Sequence, residues 1–229
     1  MIMKTSLRLG SIAGIDIKIH WTFSVGIVGL AVYLISQFGP EVATATLLVV
    51  SSSFFCVLLH ELGHAFAAKR FGIPTRDITL YPIGGVARIE GLPKKPMHEL
   101  WIALAGPAVN VVIAGVLYVI NSSISGSVTV EHVLNNPTNF LGIIIWINLA
   151  MVGFNMIPAI PMDGGRVLRA GLATQIGFTR ATQIAGVLGQ VIAVIMFVYA
   201  LFSGQYTLLF IAIFVLIGAQ QEMKHAVMK

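Results

Sequence analysis

Two histidines and a glutamate stand close together inside an otherwise apolar stretch that runs from residue 51 to residue 72. They are His60, Glu61 and His64 of the segment HELGH, which matches the pattern H-E-x-x-H. On a helix, residues four apart share one face, so both imidazoles can bind one Zn²⁺ while the intervening glutamate reaches a water molecule beside the metal. The pattern therefore predicts a metal site that carries its own general base.

The surroundings of these residues strengthen that prediction. An ionisable side chain near the centre of a membrane helix costs about 2.5–3.5 kcal/mol on insertion scales, and such residues usually serve a function. His60 precedes Lys69 by nine residues, so it lies roughly 14 Å along the helix from the end of the apolar segment. An imidazole at that depth does not reach the interface comfortably. We therefore favour metal binding over the alternative that these residues snorkel or only hydrogen-bond to neighbouring helices.

A catalytic zinc site uses three protein ligands and an open position, so two histidines leave it one ligand short. Few acidic residues lie in the apolar segments: Glu99 and Glu222 stand at segment ends, whereas Asp163 lies within IPAIPMDGG. Asp163 has two candidate roles. It is either the third metal ligand, which we favour, or the N-cap of a helix that begins near Gly164.

The composition indicates what kind of protein must position these residues. Of 229 residues, 57% are hydrophobic and 10% are charged, against roughly 25% charged in a soluble domain. The single cysteine excludes an internal disulfide. The sequence thus predicts an integral, multi-pass membrane protein in a lipid bilayer, with six apolar segments of spanning length at about 21–38, 43–70, 99–121, 139–157, 181–203 and 206–222. The fourth is expected to break at Pro158 and Pro161.

The basic residues support six spans. With six crossings, all fourteen Lys and Arg fall on one side of the membrane, which the positive-inside rule makes cytoplasmic, together with both termini. They occur in short groups between apolar segments, so the net charge of +5 does not indicate a nucleic-acid partner. These residues are Lys4, Arg8, Lys18, Lys69, Arg70, Arg76, Arg88, Lys94, Lys95, Arg166, Arg169, Arg180, Lys224 and Lys229.

Two pieces beside the first two spans look like β-strands. GIDIKIH, residues 14–20, alternates apolar and polar residues, and TRDITLYPIGGVARIEG, residues 75–91, has two short runs with a hairpin turn expected at Gly84-Gly85. The predicted fold class is therefore an all-α polytopic membrane protein with a small β-sheet on the cytoplasmic side. We expect residues 1–229 to form a single domain.

The HELGH segment is followed about a hundred residues later by a second motif, Asn155-x-x-Pro158-x-x-Pro161-x-Asp163-Gly164-Gly165. Together with GPAVN at residues 106–110, the two motifs resemble the site-2 protease family of intramembrane zinc metalloproteases. The resemblance covers nearly the whole chain.

This resemblance implies specific roles. One zinc ion per chain would be bound by His60, His64 and Asp163, and Glu61 would activate the water. Asn155 would help to hold the substrate carbonyl or oxyanion. Its side-chain amide can donate to such an oxyanion, a contact worth roughly 3 kcal/mol in comparable sites.

The chain departs from part of that family because it has no insertion large enough for a PDZ domain. Some members without a PDZ domain carry cytosolic CBS domains after the last span. The ending of this chain would suit a soluble C-terminal extension of that kind.

Other candidate residues have competing roles. Asn148 lies on the same helical face as Asn155 and could line the same cavity, but hydrogen bonding between helices is favoured. Cys56 lies one turn before His60, and a buried structural role is favoured over ligation. The strands around Gly84 and Gly85 offer an edge on which an unwound substrate segment could add as a further strand.

The sequence thus predicts an intramembrane zinc endopeptidase that cuts membrane-anchored proteins in the cytoplasmic half of the bilayer. The alternative is a membrane metal transporter or sensor that uses His60, His64 and Asp163 as its metal site. Glu61 and Asn155 discriminate between the two, because transport needs neither a general base nor an oxyanion donor. A catalytically inactive scaffold is disfavoured because every expected catalytic residue is present. No particular oligomeric state is predicted.

Overall fold

The structure is a computed structural model of the 229-residue chain, and it describes residues 6–91, 93, 95–124, 128–135 and 138–227. Lys4, Lys94 and Lys229, which contribute to the charge pattern, lie outside the described residues. Strands and helices follow one another as β1 Ser6–Ile12, β2 Ile15–His20, α1 Trp21–Arg70, β3 Thr75–Tyr81, β4 Gly84–Ile89, α2 Pro96–Ile124, α3 Val130–Asn135, α4 Phe140–Asn155, α5 Asp163–Ile176, α6 Phe178–Ser203 and α7 Tyr206–Val227.

The chain divides into two compact units. Unit 1 comprises Met1–Leu92 and Ala108–Val152, and unit 2 comprises Pro93–Pro107 and Gly153–Lys229. The boundary falls inside α2 after Pro107 and inside α4 after Val152. The single domain over residues 1–229 stays a prediction.

Four of the described helices are long and apolar enough to cross a membrane. They are Trp21–Arg70, Pro96–Ile124, Phe178–Ser203 and Tyr206–Lys224, while α4 is apolar but shorter. The mostly helical fold predicted from the sequence is therefore confirmed, and several of its helices are long and apolar enough for a membrane protein, whereas six crossings stay a prediction. The predicted break in the fourth apolar segment is present, because α4 ends at Asn155 and the chain is not helical again until Asp163.

The first of these helices is two helices joined at a sharp break. Gly39 has φ 84° and ψ 170°, which is not helical, and Pro40 follows it. A positive φ suits glycine because it has no Cβ. The break lies between the segments 21–38 and 43–70 that the sequence analysis separates.

Unit 1 contains one four-stranded sheet in the order β1-β2-β3-β4. β2 and β3 are parallel, and the two outer pairs are antiparallel. The sheet packs on the HELGH part of α1 through a core of buried apolar residues: Ile15, Ile17, Leu62, Ala65 and Ile78. The strands predicted within residues 14–20 and 75–91 are confirmed, and β1 is an additional strand.

The predicted hairpin turn is misplaced by two residues. The turn between β3 and β4 is formed by Pro82 and Ile83, and Tyr81 pairs with Gly84. Proline presets the φ of the second residue of a β-turn, so Pro82 is the natural start of this turn. Gly84 and Gly85 instead open strand β4.

Unit 2 is built around the irregular segment that joins α4 to α5, residues 156–162. Glycines on the adjacent helices allow a close approach to its backbone and prolines. A Cβ on Gly189 of α6 would meet the Ile160 carbonyl oxygen, and one on Gly218 of α7 would meet Pro161. The Ile160 amide also donates to the Ala185 carbonyl at 3.2 Å, and the Ile160–Pro161 peptide bond is cis.

A buried ion cluster also joins helices of unit 2. Arg169 of α5 is 1% exposed; its Nε donates to Glu99 Oε1 at 2.9 Å, and its Nη1 donates to Glu222 Oε2 at 3.1 Å. The guanidinium also lies 4.9 Å from the centre of the Phe178 ring. These contacts tie α5 to the starts of α2 and α6 and to the end of α7.

Candidate metal centre

His60 and His64 are both buried and face each other on α1. Each side chain is 4% exposed, and the two Nε2 atoms are 3.1 Å apart. Two nitrogen ligands at 2.0–2.1 Å from a tetrahedral zinc ion stand about 3.3 Å apart. The pair therefore fits a zinc ion.

Two asparagines extend the contacts of His60. His60 Nδ1 lies 2.5 Å from Asn110 Oδ1, and Asn110 Nδ2 donates to Asn148 Oδ1 at 2.7 Å. Asn148 Nδ2 in turn contacts the Ile144 carbonyl oxygen at 2.8 Å and Cys56 Sγ at 3.3 Å. The hydrogen bonds of this network join α1, α2 and α4 within unit 1.

Glu61 lies on the side of α1 that faces the sheet. Its side chain is partly buried, and strand β4 passes close to it. A Cβ on Gly85 would stand 2.9 Å from Glu61 Cγ and 3.1 Å from Val57 Cγ1. Glycine at position 85 therefore lets β4 lie against the carboxylate-bearing side chain.

Asp163 is the first residue of α5 in unit 2, and it is 7% exposed. The N-cap of α5 is Met162, which provides no side-chain hydrogen bond to the helix, so the alternative that Asp163 is the N-cap is wrong. The carboxylate still benefits from the positive end of the helix dipole. Arg166 Nη1 stands 4.0 Å from Asp163 Oδ1, at the outer limit of an ion pair.

The two glycines after Asp163 bring the start of α5 against the irregular segment. A Cβ on Gly164 would meet the carbonyl oxygens of Met156 and Ile157, and one on Gly165 would meet the backbone of Ala159 and Ile160. All of these neighbours are backbone atoms, which cannot rotate away. The sequence DGG is thus a packing requirement that holds Asp163 at a fixed place in unit 2.

Among the described residues, His60, His64 and Asp163 form a group of buried side chains that could hold a metal ion. Two imidazoles and a carboxylate are nitrogen and oxygen ligands of the kind that zinc accepts, and three of them leave one position open for chemistry. The residues present fit the metal that the sequence pattern predicts.

The remaining predicted residues fall at distinct places. Asn155 is the last residue of α4 and is partly buried, and Gly84 begins β4 beside the turn. Asn148 is fully buried in its contacts with Asn110, Ile144 and Cys56, which are hydrogen bonds of the kind that the sequence analysis favours for it. Its role in substrate binding stays a prediction, as do those of Gly84 and Gly85.

Asn110 contacts His60 directly, although no role for it is predicted from the sequence. The feature of the sequence that could have indicated Asn110 is its polar side chain inside an apolar span, at the end of the GPAVN motif. The cluster of Arg169, Glu99 and Glu222 is also missed, because the partners are far apart in sequence and each acid lies at the end of an apolar segment.

Comparison with known proteins gives a consistent result. The model of peptidase family M50 matches residues 47–136 and 121–199. A zinc metalloprotease of Methanocaldococcus jannaschii is 39% identical over 223 residues, which are 96% of this chain and 61% of the relative. Stage IV sporulation protein FB of Bacillus subtilis is 28% identical over 129 residues, 56% of this chain and 41% of the relative. The chain spans less than two thirds of the length of both relatives.

A solved structure confirms the resemblance stated from the motifs. The site-2 protease from Methanocaldococcus jannaschii is 36% identical, with a TM-score of 0.69, and the match covers 95% of each chain. The family model covers the HELGH segment, the GPAVN segment and the segment from Asn155 to Gly165. By its matched residues and its fold, this chain belongs to peptidase family M50.

Proposed function

We propose that this chain is an intramembrane zinc endopeptidase that hydrolyses peptide bonds of membrane-spanning proteins in the cytoplasmic half of the bilayer. The observation that carries the proposal is the pair of buried histidines with converging Nε2 atoms, 3.1 Å apart, on a helix that is long and apolar enough to cross a membrane. One relative that matches 96% of the chain is a zinc metalloprotease, and a solved structure that matches 95% of it is a site-2 protease.

In this proposal, His60, His64 and Asp163 hold one zinc ion per chain. Zinc supplies a Lewis acid that acidifies water toward a pKa of about 7 and polarises the scissile carbonyl. The three side chains are buried, so they present their ligand atoms without competition from bulk water. The histidines lie four residues apart on one helical face, which is the arrangement that a shared metal requires.

Glu61 is the general base. Its carboxylate takes a proton from water, the resulting hydroxide adds to the carbonyl carbon, and Glu61 then passes the proton to the leaving amide nitrogen as the C–N bond breaks. Strand β4 lies against Glu61 at Gly85, which limits where the carboxylate can point. Asn155 donates from its side-chain amide to the developing oxyanion, a contact worth roughly 3 kcal/mol.

The substrate is a membrane-anchored protein segment. A peptide bond in a helix is shielded by hydrogen bonding, so cleavage requires local unwinding. Strand β4 is the last strand of the sheet, and its outer edge pairs with no other strand in the described part of the chain. An unwound segment can add there as a further strand, beginning near Gly84 and Gly85 and close to Glu61. Asn148 would affect the site only indirectly, through its hydrogen bond with Asn110.

The proposed setting is an integral membrane protein with six crossings and both termini in the cytoplasm. The break at Gly39 supports two crossings within α1, and the grouping of Lys and Arg supports the orientation. With this topology the sheet and the bound substrate strand lie on the cytoplasmic side.

The test compares the wild-type chain with Glu61→Gln on a single-span substrate in vesicles, with zinc content measured for both. We expect Glu61→Gln to retain zinc and to lose about 10²–10⁴-fold in cleavage rate, the usual contribution of a general base. Glu41→Gln, on the same helix and exposed, is the matched control and should cleave normally. Equal cleavage by wild type and Glu61→Gln would sink the mechanism, and zinc bound without any cleavage by the wild type would favour a transporter or sensor.

A further inference from the structure

Asn148 and Asn110 connect a backbone carbonyl to His60 through an unbroken series of hydrogen bonds. Both asparagines are 0% exposed and lie between apolar helices of unit 1. A buried amide is costly unless its nitrogen donates and its oxygen accepts, so the partners determine which way each amide points.

The orientation of Asn148 is fixed by the helix to which it belongs. One of its side-chain amide atoms lies 2.8 Å from the Ile144 carbonyl oxygen. A carbonyl only accepts, so that atom is the amide nitrogen Nδ2. Oδ1 of Asn148 therefore faces Asn110, 2.7 Å from the Asn110 side chain.

The orientation of Asn110 follows in the same way. An oxygen at Asn148 requires a donor, which places Nδ2 of Asn110 on that side. The same nitrogen lies 3.7 Å from Met151 Sδ, and a thioether is only an acceptor. The two contacts agree, and they leave Oδ1 of Asn110 facing His60 Nδ1 at 2.5 Å.

An amide oxygen cannot donate, so His60 Nδ1 must carry the hydrogen of that bond. A neutral imidazole with its hydrogen on Nδ1 has its free lone pair on Nε2, the atom that lies 3.1 Å from His64 Nε2. We propose that Asn110 and Asn148 are positioning residues that fix the Nδ1–H tautomer and the ring orientation of His60, so that its Nε2 is ready to bind the metal. This inference rests on the proposed zinc function.

The choice of amides has a physical reason. A ligating histidine commonly donates its other N–H to a carboxylate, a backbone carbonyl or water. A second buried charge inside a membrane helix would cost about 2.5–3.5 kcal/mol, and an amide avoids that cost. The two amides in series carry the orientation set by α4 across α2 to α1 without adding a charge.

The first test measures zinc affinity by competition with a chelator. Asn110→Leu keeps the branching of the side chain at Cγ but removes the acceptor, and we expect it to weaken zinc binding about 10–100-fold, the usual effect of losing such a partner. Asn110→Asp keeps an acceptor for His60 Nδ1–H but loses the donor to Asn148, so it should bind zinc less tightly than wild type and more tightly than Asn110→Leu. Asn148→Leu should lie between Asn110→Leu and wild type, since Asn110 keeps its direct contact with His60 but loses its orientation.

The matched control is Asn121→Leu. Asn121 lies on the same helix as Asn110 and is also 0% exposed, but its side-chain atoms have no hydrogen-bond partner within the described ranges. Its replacement should leave zinc affinity unchanged. Equal affinities of Asn110→Leu and Asn121→Leu would overturn the proposal, and so would an Asn110→Asp variant as weak as Asn110→Leu, because a role in packing alone would not prefer the acidic residue.

The second test reads the tautomer directly in the metal-free protein. Nitrogen NMR of labelled histidine, assigned by comparison with His60→Asn, should show the hydrogen of His60 on Nδ1 in wild type and a loss of that preference in Asn110→Leu. A hydrogen on Nε2 in wild type would overturn the proposal. A wild-type chain that binds no zinc would overturn the proposed function and this inference together, whereas normal zinc binding with an indifferent Asn110→Leu variant would overturn this inference alone.

Discussion

The two histidines and Asp163 are held by different kinds of structure. His60 and His64 lie on a regular stretch of α1, where spacing sets their positions and side-chain amides set the orientation of His60. Asp163 follows seven residues that are neither helix nor strand, and glycines let its helix start against that segment. In the first region side chains determine the geometry, and in the second the backbone does.

The two regions differ in whether the atoms around a replaced residue can move. A side chain such as that of Glu61 can rotate away from an added atom, so the loss falls mainly on function. A backbone carbonyl cannot, so the structure around it must shift and stability is lost. Substitutions in unit 2 should therefore affect folding first, and substitutions around Glu61 should affect activity first.

The largest loss of stability is expected from Arg169→Met. Arg169 is 1% exposed and donates to Glu99, which is itself 1% exposed. Its removal leaves a buried carboxylate unpaired, which costs about 3–5 kcal/mol in comparable pairs. Thermal unfolding in detergent would measure the loss, and Arg169→Met combined with Glu99→Met should recover part of it.

Lys18→Met in unit 1 provides the control for that substitution. Lys18 Nζ pairs with the buried Asp77 at 2.7 Å, but it is 24% exposed, and Arg88 Nε stays 3.7 Å from the same carboxylate. The loss should be smaller because Asp77 keeps a cation nearby. An Arg169→Met variant more stable than Lys18→Met would contradict the comparison.

A smaller loss of stability is expected from Gly165→Ala. The new Cβ would meet the backbone of Ala159 and Ile160, and overpacking of this kind costs about 1–3 kcal/mol, occasionally more. Gly171→Ala on the same helix is the matched control, because nothing lies within 4 Å of its Cβ position. That variant should be as stable as wild type or more stable by up to about 1 kcal/mol. Equal melting temperatures for both variants would show that the backbone contact does not constrain α5.

The smallest effect on stability, with a clear effect on activity, is expected from Gly85→Ala. Its Cβ would stand 2.9 Å from Glu61 Cγ and 3.1 Å from Val57 Cγ1, which are side-chain atoms and can shift, so the loss of stability should be smaller than that of Gly165→Ala. A general base displaced by about 1 Å can lose up to about 100-fold in rate. Gly10→Ala in β1, where nothing lies within 4 Å, should cleave like wild type. A Gly85→Ala variant that is much less stable than wild type, but cleaves at the wild-type rate while folded, would contradict the expectation that this position affects activity first.

The same contrast explains what the sequence could and could not predict. The spacing of His60 and His64 is a helical pattern, and Pro158 with Pro161 marks the break before Asp163, so both are readable from the residues. Strand β2 is also readable, because Ile15 and Ile17 alternate with polar residues and are buried. Strand β1 is not, since Leu7 and Leu9 are exposed and the strand is held by pairing with β2.

The contacts that orient the site lie beyond sequence patterns. Asn110 contacts His60 although the two are 50 residues apart in the sequence, and Arg169 contacts Glu99 although these two are 70 residues apart. Neither distance follows from a local period, because the helix packing brings the residues together. Gly84-Gly85 predicts a turn because glycine pairs usually mark turns, but the turn lies at Pro82-Ile83, and Gly85 is needed for its closeness to Glu61.

The conformation of Gly39 decides how far His60 stands from the start of its own helix. If α1 continued without interruption from Trp21, His60 would lie about 59 Å farther along one straight axis, roughly twice the 30 Å thickness of a hydrocarbon layer. Trp21 and His60 then could not both belong to membrane-embedded segments. One residue with φ 84° removes that conflict by letting the chain change direction. Gly39 is no proposed ligand, yet the depth that we propose for the metal site depends on its backbone.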